Sequence, residues 1–240
     1  MTGQDLKNSI LQLAIQGKLV AQDANDEPAS VLLERIKAEK KKLIEEKKIK
    51  KEKPLAEITE DEKPFEIPNS WVWCRMRDIL DVRDGTHDSP KYHSKGFPLV
   101  TSKNLKKNTI DFSTALLISE EDYINISQRS AVDNEDILFA MIGSIGNPVL
   151  VKKDREFAIK NMALFKKSQN GISMKYVFWF LECQQYAMRE YASGGVQSFV
   201  SLKYLREYLI PLPPLAEQHR IVSKIENLFA CIEPLAKDLK

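Results

Sequence analysis

The sequence predicts an α+β protein: a mixed α/β domain over residues 65–213, flanked by N-terminal helices within 1–64 and by one long C-terminal helix over 214–240. Three observations lead there. From Leu215 the tail repeats at alternating spacings of three and four, through Leu215, Gln218, Val222, Ile225, Phe229, Ile232, Ala236 and Leu239. Such a seam asks for another helix to lie along it and makes this segment coiled-coil-forming. Between Trp71 and Leu212 the pattern changes to short β-favouring runs bounded by Gly, Pro, Asn or Asp. Ahead of them stand two amphipathic helical patterns.

In chain order, residues 2–16 read as a helix with Thr2 as N-cap, Gly17 as stop and Leu6, Ile10, Leu13 and Ala14 on one face. A polar turn at 23–28 precedes a second helix from Pro28 to about Lys51, with Val31, Leu32, Ile36, Leu43 and Ile44 inward. Its lysines alternate with glutamates at helical spacing, the pattern of a solvated face. Residues 53–70, with Pro54, Pro64 and Pro68, read as an extended linker. Trp71, Trp73 and the run into Val82 suggest a strand and a short helix, followed by strands at 97–101, 137–142, 149–152 and 158–166. The run 137–142 is apolar throughout, as a central strand would be. A helix over 173–192 capped by Ser173, a helical turn near 201–206 and a strand at 208–212 lead to Pro213-Pro214 and the long helix.

No stretch approaches the roughly eighteen apolar residues of a membrane-spanning helix, and residues 1–17 are an interrupted amphipathic pattern rather than a signal peptide. Cys74, Cys183 and Cys231 have no zinc-site spacing and read as reduced thiols in a cytoplasm. Net charge is only +2, but the charge is segregated: residues 83–110 hold six basic and two acidic side chains, residues 111–136 one and seven. One face can thus meet a polyanion while another stays acidic.

Three loops carry donors and acceptors suited to base edges and phosphates. The first supplies Thr86, His87, Ser89, Lys91 and Tyr92; the second Ser102, Lys103, Asn104, Lys106 and Lys107; the third Gln197 and Ser198. The segment 143–147 joins two strands, either as a tight hairpin or as a place where backbone amides approach a phosphate. Asp84, His87, Asp88 and His93 are an alternative divalent-metal set, which would make the chain a nuclease. A third reading is a helical interaction module that meets no DNA. The chain carries no phosphate-binding Gly-x-x-x-x-Gly-Lys loop, no Asp/Asn-Pro-Pro-aromatic methyltransferase signature and no Ser/His/Asp arrangement. No catalytic residue, cofactor or resident metal is expected.

The stretch Leu212-Pro213-Pro214-Leu215-Ala216-Glu217-Gln218-His219-Arg220-Ile221-Val222 resembles the signature opening the conserved helices of type I restriction-modification specificity subunits. Residues 11–20, 26–29 and 64–71 resemble further stretches of that family, and Asp84-Gly85-Thr86-His87, Asp136-Ile137-Leu138 and Gly143-Ser144-Ile145-Gly146 resemble motifs of its target-recognition domain. Asn147-Pro148 departs from the lysine many members place there, which weakens a phosphate role for that loop.

The resemblance implies a non-catalytic subunit that reads one half of a split double-stranded DNA site. It also implies docking to a methylation subunit and, through it, to restriction subunits, in a bacterial or archaeal cytoplasm. Residues 65–213 would be the target-recognition domain. Leu215, Val222, Ile225, Phe229, Ile232 and Leu239 would pair with the chain's own N-terminal helices or with the same helix of a second copy, giving a homodimer. The long helix ends at Lys240 in mid-heptad, so a truncated chain is expected rather than a natural half-subunit.

Overall fold

A computed structural model describes residues 2–47, 49, 53–167, 171–193 and 199–238. The chain divides into two compact units, each with its own core. One comprises Met1–Ile79, Gln169–Phe180 and Tyr208–Lys240; the other comprises Leu80–Ser168 and Leu181–Glu207.

In the first unit, α1 (Gly3–Ile15) starts with a reciprocal cap. Thr2 Oγ1 accepts from Asp5 N at 3.1 Å, and Asp5 Oδ2 accepts from Thr2 N at 2.7 Å. The helix ends before Gly17, at φ +70°, where a Cβ would lie 2.4 Å from Pro68 Cγ, so glycine alone fits. The buried face is Ile10, Leu11, Ala14 and Ile15; Leu6 and Leu13 of the expected face are exposed instead. In α2 (Ala29–Glu45) the buried residues are Ala29, Leu32, Leu33 and Ile36, and Val31 points outward. Strand β1 (Val72–Arg75) runs into the one-turn helix α3 (Met76–Ile79).

The second unit opens with β2 (Val82–Asp84), β3 (Phe97–Val100), the short pair β4 (Leu105–Lys106) and β5 (Thr109–Ile110), and β6 (Leu116–Ile118). Helix α4 (Glu120–Ser130) follows, then β7 (Ile137–Ala140), β8 (Gly146–Leu150), β9 (Ala158–Ile159) and β10 (Met162–Phe165). A four-stranded antiparallel sheet has the order β2-β10-β7-β8, with fully buried β7 inside as its apolar run requires. A second sheet has the order β6-β3-β9, with β3 and β9 parallel. The core between them includes Val100, Leu105, Leu138, Val149, Phe157 and Leu164.

Helix α5 (Met174–Ser193) gives its residues through Phe180 to the first unit and those from Leu181 to the second. Then come α6 (Leu202–Glu207), β11 (Leu209–Leu212) and α7 (Leu215–Asp238), which continues through Pro234. Strand β11 pairs antiparallel with β1, Val72 opposite Leu212, and both belong to the first unit. The expected division at 64/65 and 213/214 is therefore not where the compact units part. This ladder ties the two ends of the 65–213 segment to the helices.

The expected helix seam meets α1 of the same chain, which packs on α7. Val222, Ile225 and Ile232 are buried, Leu215 and Phe229 partly so, and Leu239 lies outside the described residues. Phe229 has the Lys7 ammonium 5.1 Å from its ring centre and the Trp179 ring edge-on at 5.1 Å.

Beside this seam, the segments singled out in the sequence converge. Glu217, fully buried, accepts from Trp71 Nε1 at 2.9 Å and from Gln22 Nε2 at 2.7 Å. Gln218 accepts from Ser173 N at 2.9 Å and donates to Pro213 O at 3.0 Å, while Arg220 forks onto Asp26. Residues 17–29, 64–71 and 212–222 thus form one polar node, in which every buried group has a partner.

Candidate nucleic-acid interface

The register of the four-stranded sheet gathers the polar loops. Asp84 at the end of β2 lies opposite Ala163 of β10; Met162 lies opposite Ala140, the end of β7; Ala140 lies opposite Gly146, the start of β8. The loops leaving β2, entering β10 and joining β7 to β8 therefore emerge at one end of the sheet. The parallel β3–β9 pair adds a fourth, because Lys160 N donates to Val100 O at 2.9 Å and residues 101–104 follow directly. A fifth segment, residues 199–200, joins there: Ile142 bridges Phe199 and Val200 N donates to Met141 O. Gln197 and Ser198 lie outside the described residues. The opposite end of the sheet carries Asp133, Glu135 and Asp136 preceding β7, paired with Lys166 and Lys167. There Asp136 is buried and accepts from Lys166 Nζ, Lys167 N and Asp133 N at 2.6–2.7 Å.

Gly85 allows the first loop to fold back. Thr86 N donates to Ile159 O at 3.0 Å, and a Cβ on Gly85 would meet that carbonyl oxygen at 2.4 Å. His87 is then clamped, Nδ1 to Asn161 Oδ1 and Nε2 to Asp84 Oδ2, both at 2.9 Å. Asp84 also binds the Arg129 guanidinium of α4. Acceptance by Asn161, then by Asp84, raises the His87 pKa above its usual 6.5. Burial alone would raise the Asp84 pKa, but the bonds from Arg129 and His87 outweigh it and hold the carboxyl below its ordinary value. Ser89 Oγ accepts from Lys160 Nζ at 2.5 Å, and Lys91 and Tyr92 are exposed on the run to β3. His93, from the proposed metal set, is elsewhere: its amide bridges to Leu117 on β6. No group of three His, Cys, Asp or Glu side chains placed to hold a metal ion occurs among the described residues.

The second loop corrects one expectation. Asn104 is not a reader of bases: it is 2% exposed, its Oδ1 accepts from Thr101 N and Oγ1, and its Nδ2 donates to Asp111 O and Thr114 Oγ1. A short amide with two donors and an acceptor satisfied inside the loop has nothing left for DNA. Lys106 pairs with Asp111 at 2.7 Å, and that bond, with those from Ser113, lowers the Asp111 pKa to about 2. Lys107 and Asn108, at φ 46° and 62°, are the two central residues of the β4–β5 hairpin, a type I′ turn. Ser102 and Lys103 sit where the loop leaves β3, Lys103 exposed.

The segment 143–147 is the end of the β7–β8 turn and the first two residues of β8, supported from α5. Gln185 Oε1 accepts from Asn147 N at 3.0 Å, and Arg189 donates to Ile145 O at 2.5 Å and to Gln185 Oε1 at 2.7 Å. Neither Gln185 nor Arg189 stands out in the sequence. The available signal is spacing: Leu181, Gln185, Met188 and Ala192 form the buried stripe of α5, so Gln185 is a polar residue on an apolar face.

A set of exposed donors at one sheet end, above loops braced by the sheet and by α5, can read base edges and phosphates of a duplex. Residues 68–240 match the family model described as the type I restriction modification DNA specificity domain. The chain is 35% identical to the type I restriction enzyme EcoAI specificity subunit of Escherichia coli, across 98% of this chain and 41% of that protein. To the EcoEI specificity subunit of the same organism it is 36% identical, across 98% and 42%. It spans about two fifths of the length of these relatives. Among solved structures, the HsdS subunit from Thermoanaerobacter tengcongensis shares the fold at a TM-score of 0.55 with 17% identity, over 86% of this chain and 50% of that one.

Proposed function

The chain belongs to the type I restriction-modification DNA specificity domain family, and on that premise we propose that it reads one half of a split duplex target in the major groove. The observation that carries the proposal is the meeting of five loop segments at one end of the four-stranded sheet. Thr86, Ser89, Lys91, Tyr92, Ser102, Lys103, Lys107 and Lys160 are the proposed contacts, with Gln197 and Ser198 in the adjoining segment. A good bidentate base contact is worth roughly 1–3 kcal/mol of discrimination. The lysines add sequence-independent affinity that weakens with salt. His87 acts chiefly inside the site, since both ring nitrogens are engaged.

The chain itself carries no chemistry in this proposal. It docks a DNA-methylating subunit and, through it, a restriction subunit, in the cytoplasm of a bacterial or archaeal cell. The α1–α7 pair serves as the spacer between half-sites, and a second copy of this chain joined through α7 is one source of the other half. No helix among the described residues is long and apolar enough to cross a membrane. The test is to co-express the chain with its methylation subunit and sequence the host's methylated adenines. A split motif should emerge, and the purified complex should bind a duplex carrying it roughly 1,000-fold or more tighter than a scrambled one. Equal binding to both duplexes would overturn the proposal.

A further inference from the structure

Arg129 is the single basic residue in the acidic segment 111–136, and it sits in the last turn of α4. Its side chain is 61% exposed, yet its partner, the Asp84 carboxylate, is only 15% exposed. An ordinary surface ion pair leaves both long side chains free to wander and contributes little. Here the carboxylate is held by His87, and His87 by Asn161. Four side chains from four segments, ahead of β10, in the first loop, at the end of β2 and on α4, form a line ending at one guanidinium. The Arg129 carbonyl also accepts from Arg83 Nη1 at 3.2 Å, fixing the backbone. Because Asp84 is the last residue of β2, this guanidinium stands at the loop-bearing end of the sheet. With Thr86, Ser89 and Asn125 it lines a cavity of about 410 Å³.

We propose that Arg129 is a specificity-determining residue that reads a guanine through its O6 and N7 edge, with Asp84, His87 and Asn161 as its positioning residues. The inference rests on the reading that this sheet end faces the major groove. Arginine carries five N–H donors in a rigid fork, so a carboxylate on one terminal nitrogen leaves donors for a base while restricting rotation. Local charge favours a base over a phosphate. Asp84, Asp88 and Asp122 all lie around Arg129, where they would repel a phosphate, whereas a guanine edge is neutral.

The experiment uses the complex with the methylation subunit and the duplex that its methylated motif defines. Guanines of the half-site are replaced one at a time by 7-deazaguanine, which lacks the N7 acceptor. For the native chain, one replacement should weaken binding roughly 3- to 10-fold, about half of a bidentate contact. Arg129→Ala should abolish that penalty. Arg129→Lys should also lose the penalty, since a point charge cannot fork onto O6 and N7. Asp84→Asn, which keeps the shape, should shrink it and so supports the proposal even where Arg129→Ala folds poorly. The proposal is overturned by a half-site with no guanine, by insensitivity at every guanine, or by an Arg129→Lys complex with native discrimination. Failure of the native complex to prefer its own motif would instead strike the underlying reading.

Discussion

Replacing Glu217 by Gln tests whether the polar node holds the first unit together. The carboxylate receives two donors, Trp71 Nε1 at 2.9 Å and Gln22 Nε2 at 2.7 Å, and is fully buried. A glutamine keeps one acceptor oxygen and turns an NH2 towards the other donor, so one bond to a charged group is lost. Such bonds contribute about 1.5–3 kcal/mol. Relief of the carboxylate's burial offsets part of this, because burial raises the Glu217 pKa in spite of its donors. The expected net loss is about 1–2 kcal/mol, or roughly 2–8 °C in Tm for a chain of this size. The assay is urea unfolding followed by tryptophan fluorescence. All three tryptophans, Trp71, Trp73 and Trp179, lie in the first unit, so the signal reports on it alone. The pH dependence has a definite sign. With its folded value raised, Glu217 adds stability that is fully present below its unfolded pKa and lost as pH rises through the folded value. The gap between native chain and variant should therefore widen on acidification. An unchanged midpoint in Glu217→Gln would refute the reasoning.

Two further outcomes are expected. Asn104→Ala should destabilise the second unit by about 2–3 kcal/mol, through buried donors and acceptors left unpaired, while leaving the salt slope of DNA binding unchanged; hydrogen exchange and anisotropy separate these effects. The raised His87 pKa gives stability that is complete below about 6.5 and lost as pH rises through the folded value. An NMR titration should find that value above 6.5, and His87→Gln should flatten the pH dependence in this window.

Local features were legible in the sequence. The Thr2 cap and Gly17 stop of α1, the buried run of β7, the Ser173 start of α5 and the three-four seam of α7 are set by neighbours within a turn or two. Five elements, β2, the short pair β4 and β5, β6 and α4, went unread. Tyr123 and Ile126 are only partly buried and Ile124 is exposed, so α4 has no apolar stripe, although Ser119 accepting from Asp122 N is an ordinary N-cap. The β1–β11 ladder pairs residues far apart in the chain, and no local pattern reveals such a partner.

At the candidate site, the residue types of the loops were readable but their directions were not. Asn104 and Thr86 look alike as loop polar residues; one turns inward to four bonds and the other lies at the sheet end. Arg129, lone among acidic neighbours, gains meaning only beside Asp84.

The most direct measurement compares charge reversal at the two ends of the four-stranded sheet. Lys103→Glu with Lys160→Glu alters the loop-bearing end; Lys152→Glu, just beyond β8, alters the opposite end. Anisotropy of the complex with the methylation subunit, across a salt series, should show weaker binding and a slope reduced by about 2 for the first variant only. Equal effects from both variants, or none from the first, would contradict DNA reading at this end.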